Sequence, residues 1–246
     1  MSIVWNDIWK RALFPPRIRW YAEDFLQYLI KWSSAKRHAL FLEAGAGSGR
    51  FSYRLSQRRC EVVALDLSRN SIFLLQRLKR LSKGFMHVIR ADIRHMPFRD
   101  CVFNVVYNEG VVEHFQGPFY VLNEMARVLQ RLGVLIFSVP NIFSFHTPAR
   151  FVATKLLGGW LYGHERSFSK CEVKTLLCLL KLENVEVHGI GVFYGVGQYM
   201  PYAIRALLYH VYLRLRDARL GRVLAECFGF QIVGKGEKSG SEKACS

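Results

Sequence analysis

Residues 40–49 read Leu-Phe-Leu-Glu-Ala-Gly-Ala-Gly-Ser-Gly, and no other ten positions constrain the fold as strongly. The apolar run Leu40, Phe41, Leu42 predicts a buried strand, ended by the acid Glu43. Glycine then occupies every second position, at Gly45, Gly47 and Gly49, and a helical pattern resumes at Arg50. A strand, a glycine turn and a helix in succession bring a ligand against backbone N–H groups at a helix N-terminus. Glycine suits such a turn because a Cβ would block the approach and forbid positive φ. The dinucleotide pattern G-x-G-x-x-G requires glycine at position 50, where Arg50 stands, and the Gly-Lys-Ser/Thr of a phosphate-binding loop is missing.

From residue 39 onward, strands and helices alternate. Strands are expected at 40–44, 61–65, 86–90, 102–107, 133–139, 185–190 and 229–233. Helices are expected at 50–57, from the Ser68 cap to about 81, at 119–131, and from the capping box Ser169-Lys-Cys-Glu172 to about 182. Apolar strands alternating with helices predict a Rossmann-like, doubly wound α/β fold. The sheet is expected to be mostly parallel, with helices on both faces and an antiparallel last strand. Asp66 ends the second strand, 21 residues beyond Gly45, where an acid reaches the hydroxyls of a ribose.

The motif E-x-G-x-G-x-G resembles motif I of the class I S-adenosylmethionine-dependent methyltransferases, and further segments extend the likeness. Met96-Pro97-Phe98 with Asp100-Cys101-Val102-Phe103 resembles the family's approach to its fourth strand. Asn108-Glu109-Gly110-Val111-Val112-Glu113-His114 resembles its "vleH" segment. Glu124 with Arg127-Val128-Leu129 and Gly133-Val134-Leu135-Ile136 resembles the run into its fifth strand. The likeness covers about residues 39–192 plus the final strand; Asn104 stands where the family usually has Asp.

The resemblance implies S-adenosylmethionine as cofactor. Glu43, Gly45, Ala46, Gly47 and Gly49 are then expected around its methionine end, Asp66 with Leu67 at the ribose, Asp92 at the adenine amino group with Ile93 on the ring, and Asn108 beside them. No metal is expected. Methyl transfer by in-line displacement needs a base only where the acceptor is protonated. His114 and His164 are the candidates, and each reads equally as a histidine bonded to loop backbone. Methylases of adenine and glutamine amino groups carry (N/D)-P-P-(Y/F) after the fourth strand. This chain has Asn108-Glu109-Gly110-Val111 there, which favours an oxygen acceptor.

Charge bears on partners. Lys+Arg 35 against Asp+Glu 19 gives +16, which suits anionic partners. Residues 201–224 carry Arg205, Arg214, Arg216, Arg219 and Arg222 against Asp217. As one helix they would place Arg205, Tyr209, Tyr212, Arg216 and Arg219 on one face and Ile204, Leu208, Val211 and Leu215 on another. Three readings stay open: a helix packed on the sheet, an interfacial helix on anionic membrane or a lipid-linked substrate, and contact with nucleic acid. The six cysteines lack metal spacing and are expected to be reduced, mostly core thiols.

The chain reads as one domain over 1–246, with N-terminal helices in 1–38 and a cofactor core in 39–140. An aromatic insertion follows in 141–168, then a C-terminal part in 169–235 and a disordered tail in 236–246. No signal or spanning segment is recognised, so a cytoplasmic location is expected, with or without peripheral membrane contact. The expected activity is methyl transfer to a small-molecule or lipid-linked acceptor. The insertion and the basic helix are expected to build the acceptor pocket. An RNA methyltransferase and a catalytically silent cofactor-binding regulator are the alternatives.

Overall fold

The computed structural model describes residues 2–12, 14, 16, 20–33, 39–157, 163–192, 194, 202–215 and 218–241. Two helices, α1 (Ser2–Lys10) and α2 (Trp20–Ser33), precede the alternating part. Then come β1 (Leu40–Ala44), α3 (Arg50–Ser56), β2 (Glu61–Asp66), α4 (Arg69–Leu81), β3 (Met86–Arg90) and β4 (Phe103–Glu109). A 3-10 turn (Val112–His114) leads to α5 (Pro118–Val128), β5 (Leu129–Pro140), α6 (His146–Leu157), α7 (Lys170–Leu179) and β6 (Leu182–Ile190). The chain closes with α8 (Tyr202–Leu215), α9 (Arg219–Phe228) and β7 (Gln231–Lys238).

These seven strands form one sheet in the order β3-β2-β1-β4-β5-β7-β6. Pairing is parallel from β3 through β5, whereas β7 lies antiparallel to both β5 and β6. The fold is therefore the expected Rossmann-like one, with an antiparallel last strand. Order reverses between β1 and β4, and such a switch point opens a crevice at the carboxyl ends of the strands.

Successive strand residues point to opposite faces, which sorts the core into two layers. Leu42, Val106, Leu135 and Phe137 meet Leu122 and Met125 of α5 and Val173 and Leu177 of α7. Phe41, Val105, Tyr107 and Ile136 meet Phe25, Leu26 and Leu29 of α2 and Phe51 and Leu55 of α3. Full burial of a side chain such as Phe25 or Leu29 contributes about 1.5–3 kcal/mol, so α2 is held firmly although its helical pattern is only moderate. Asn104, where the family usually has Asp, accepts from the backbone N–H of Leu40 at 2.7 Å and joins the start of β1 to β4.

Several boundaries differ from expectation for physical reasons. Helix α5 stops at Val128, not 131, because Leu129 already pairs with Phe103 in the sheet. The extra residues bulge before Val134 pairs with Val105, and Leu132 takes a left-handed φ of 57°. Glu124 and Arg127 clamp the preceding loop. Glu124 accepts from the N–H of Met96 at 2.7 Å, while Arg127 reaches Asp100 at 2.6 Å and the carbonyl of Phe98 at 2.9 Å.

The basic stretch is two helices. Gly221 lets α9 press on the end of α8, where a Cβ would lie 1.9 Å from the carbonyl oxygen of Leu215. Tyr212, expected on an exposed basic face, is buried and donates to Asp24 of α2. Ile204 and Val211, on the apolar face of the single helix expected, are exposed. Strand β7 runs on through Lys238, where a disordered tail was expected, because Lys235 is anchored by Glu186 at 3.0 Å and Glu237 at 2.7 Å. The cysteines also differ: Cys171, Cys178 and Cys227 are exposed thiols, and Cys101 is disulfide-bonded.

Candidate active site

Gly45, Gly47 and Gly49 all take left-handed backbone, with φ of 82°, 53° and 72°. Their N–H groups do not stand bare, as the sequence had suggested. Gly45 and Ala46 both donate to the carbonyl of Leu65 at 2.8 Å, and Gly49 donates to Ala46. Gly47 donates to Asp66 Oδ2 at 2.7 Å. The turn is thus stitched to the end of β2, and what the glycines provide is room. A Cβ on Gly49 would meet Leu75 at 2.4 Å, so this glycine serves the packing of α3 against α4 and does not line the cavity.

Above the turn lies a cavity of about 680 Å³, within the ordinary range for small-molecule sites. Glu43, Gly45, Ala46, Gly47, Asp66, Leu67, Asp92, Ile93 and His114 line it. Asp66 is buried, with Oδ1 accepting from the N–H of Ser68 at 2.8 Å; burial pushes its carboxyl up against these hydrogen bonds. Asp92 is gripped by the side chain of Arg94 at 2.6 Å, and this bond chiefly holds its carboxyl below the usual range. Glu43 faces away from the opening in function: Oε2 accepts from the Ser52 N–H at 2.9 Å, from the Ser52 hydroxyl and from Tyr107 at 3.3 Å. Burial pushes Glu43 up to about 7.

Two expected residues lie elsewhere. The side chain of Asn108 is fully buried, does not line the cavity, and contacts Met125 Sδ at 3.2 Å. His164 is exposed, and the ring is not part of the lining; its carbonyl oxygen is what matters. His114 Nδ1 lies 2.6 Å from that carbonyl, so the proton resides on Nδ1 and the lone pair on Nε2. Burial lowers the His114 pKa, which keeps the ring neutral at pH 7.

The sequence missed much of the wall. Trp5, Ile8, Trp9 and Arg11 bring α1 over the cavity. Trp9 covers Gly47, Trp5 stacks on Trp9 at 5.9 Å, and Trp5 meets the edge of His114 at 4.8 Å. Asn6 fastens this helix, accepting from Ser68 and from Asn70, each at 2.7 Å. At the far end, Glu109 pairs with Arg50 and accepts from Gln231 at 3.1 Å. Glu113 is buried and its Oε2 has no hydrogen-bond partner among the described residues; burial raises its carboxyl well above the usual range. From the insertion come His146 and Glu165, but no described residue of 202–224 lines the cavity.

Residues 42–137, from β1 to β5, match the family model described as a methyltransferase domain. A probable S-adenosylmethionine-dependent methyltransferase of Mycobacterium tuberculosis is 28% identical over 155 residues, 63% of this chain and 52% of that protein. The family match places a methyltransferase domain in residues 42–137, in keeping with the class I S-adenosylmethionine-dependent methyltransferase motifs that the segment resembles. A malonyl-[acyl-carrier protein] O-methyltransferase of Enterobacter lignolyticus is 32% identical over 104 residues, 42% of this chain and 40% of the relative. The chain spans about half the length of the curated relatives it matches. Among solved structures, the [4+2]-cyclase SpnF superposes with a TM-score of 0.62 at 12% identity, covering 89% of this chain and 81% of its own. That likeness carries the fold alone.

The cavity suits S-adenosylmethionine, the cofactor of the methyltransferases that this chain resembles, in donor chemistry. The lining holds six of the chain's 19 acids, Glu43, Asp66, Asp92, Glu109, Glu113 and Glu165, beside Arg11, Arg50 and Arg94. Ribose hydroxyls and an adenine amino group donate hydrogen bonds, a sulfonium is a cation, and carboxylates answer both. Ile93 offers an apolar wall to a ring.

Proposed function

We propose that this protein transfers a methyl group from S-adenosylmethionine to a hydroxyl oxygen of a small-molecule or lipid-linked acceptor. The observation that carries the reading is the His114 tautomer, fixed by the 2.6 Å contact of Nδ1 with the carbonyl oxygen of His164 inside the acid-lined cavity. Asp66 would hold the ribose hydroxyls with lone pairs left over from Gly47 and Ser68, Asp92 the adenine amino group, and Ile93 the ring face. Gly45, Ala46 and Gly47 would give the methionine end room to lie on the turn. S-adenosylmethionine, when bound, supplies a methyl carbon whose bond to sulfur breaks as a bond to the acceptor oxygen forms.

The remaining work falls to the chain. Nε2 of His114 takes the hydroxyl proton. Glu113, kept protonated by burial, donates to a second oxygen of the acceptor and fixes its orientation. Helix α1 keeps bulk water off the reacting atoms through Trp5 and Trp9. An oxygen acceptor is supported by the Asn108-Glu109-Gly110-Val111 segment and by the O-methyltransferase relative.

The test combines titration with S-adenosylhomocysteine and transfer of labelled methyl from S-adenosylmethionine to a panel of alcohols, phenols, amines and lipid hydroxyls. His114→Gln should leave homocysteine-product binding intact while slowing transfer by roughly 10²–10⁴-fold. Because burial lowers the His114 pKa, the wild-type rate should stay level as pH falls through 6.5 and drop only at lower pH. Label recovered on nitrogen, or full activity in His114→Gln, refutes the reading.

A further inference from the structure

The cavity and the outer surface share one aromatic seam between the start of α6 and the end of α9. Within the cavity, His146 meets Phe230 edge to face at 4.9 Å. One residue earlier in α6's lead-in, Phe145 stacks on Phe228 at 5.4 Å, and this pair faces outward. Helix α9 meets the lead-in of α6 through this pair and the end of α8 through Gly221. Each of these segments carries exposed apolar side chains: Phe143 and Phe151 are 66% and 62% exposed, Leu220 on α9 61% and Leu207 on α8 64%. Scattered exposed apolar residues are ordinary, but large ones on three helices joined by contacts fit a contact surface.

The charge on this field names the occupant. Arg214 on α8 and Arg219 and Arg222 on α9 are exposed on the same helices. Helix α8 contains no acid, and the single acid of α9, Glu226, is already engaged by Lys170 and by His188 at 2.8 Å. Aromatic and aliphatic side chains with arginines, and no unengaged acid among the described residues of these helices, fit the headgroup layer of an anionic bilayer. We propose that α6, α8 and α9 rest on an anionic membrane, with the aromatic seam leading from the lipid surface to the cavity. Contact through 201–224 alone would leave the surface remote from the reaction, since none of its described residues lines the cavity; α6 supplies the connection. The surface deepens the methyl-transfer reading by naming where the acceptor resides, and its test does not depend on turnover.

The experiment is co-sedimentation of the full chain with vesicles of phosphatidylcholine mixed with phosphatidylglycerol, against phosphatidylcholine alone, at low and high salt. Binding should require the anionic lipid and weaken with salt. Arg219→Glu with Arg222→Glu should lower partitioning by roughly 30-fold or more, given the worth of a basic residue at such a surface. Leu220→Ser with Val223→Ser should weaken it also, while melting temperature and S-adenosylhomocysteine affinity stay as in the wild type. Equal recovery with neutral and anionic vesicles, or none with either, overturns the proposal. So does a concentration-dependent dimer that the same serine variant dissolves, since the field would then cover a second copy. Loss of homocysteine-product binding with vesicle binding intact would count against the methyl-transfer reading alone.

Discussion

Replacing Glu43 by glutamine should flatten part of the pH dependence of folding stability. Glu43 is 3% exposed, and burial raises its carboxyl from 4.5 to about 7 despite the opposing pull of Ser52, Arg50 and Tyr107. Below pH 4.5 the group is protonated in both the folded and the unfolded chain, so its favourable contribution is complete. As pH rises the unfolded chain ionises first, while the folded chain keeps its proton until about 7. Stability therefore declines over that window and levels off above it. At about 1.4 kcal/mol for each pH unit, the decline attributable to Glu43 is about 3 kcal/mol. Glutamine is neutral throughout and can still accept from the Ser52 N–H. Urea unfolding of both proteins, followed by circular dichroism at a series of pH values, measures the difference. It should move by about 3 kcal/mol in favour of Glu43→Gln between pH 4.5 and just above 7. Two stability curves that stay parallel would show that the buried carboxyl ionises normally, and the reasoning would fail.

Gly47→Ala should strain a backbone held at φ 53° by about 1–2 kcal/mol and push its new methyl to 2.5 Å from Trp9. A fall of tenfold or more in S-adenosylhomocysteine affinity is expected; unchanged affinity would mean that α1 does not rest on the turn. Tyr212→Phe removes the donor to buried Asp24 and should cost about 1–3 kcal/mol in unfolding free energy. An unaltered melting temperature would separate α8 from the stability of α2.

Residues whose role follows from local pattern were legible in the sequence. The strand before Gly45, the acid ending β2 and the capping box at Ser169 each depend on neighbours within a few positions, and all stand where their spacing places them. Asp66, Asp92, Ile93 and His114 come together in one cavity for the same reason, each following a strand end. Harder to read were features set by distant partners. Nothing near Leu129 signals a strand, because its pairing with Phe103 is what overrides the helical residues around it. Trp5 and Trp9 look like ordinary aromatics until α1 lies on Gly47, and the repeated Trp at a spacing of four was the one available hint. Asn108 shared a motif with His114 yet faces α5, since neighbouring positions on β4 point to opposite sides.

The indole pair over the turn gives the molecule an optical reporter of its own. Two of the five tryptophans, Trp5 and Trp9, stack at 5.9 Å in the lining of the cavity where the cofactor is proposed to bind. Their emission should therefore register occupancy of the site without a label, a dye or a known acceptor. A screen for ligands can begin from that signal before the reaction itself has been observed.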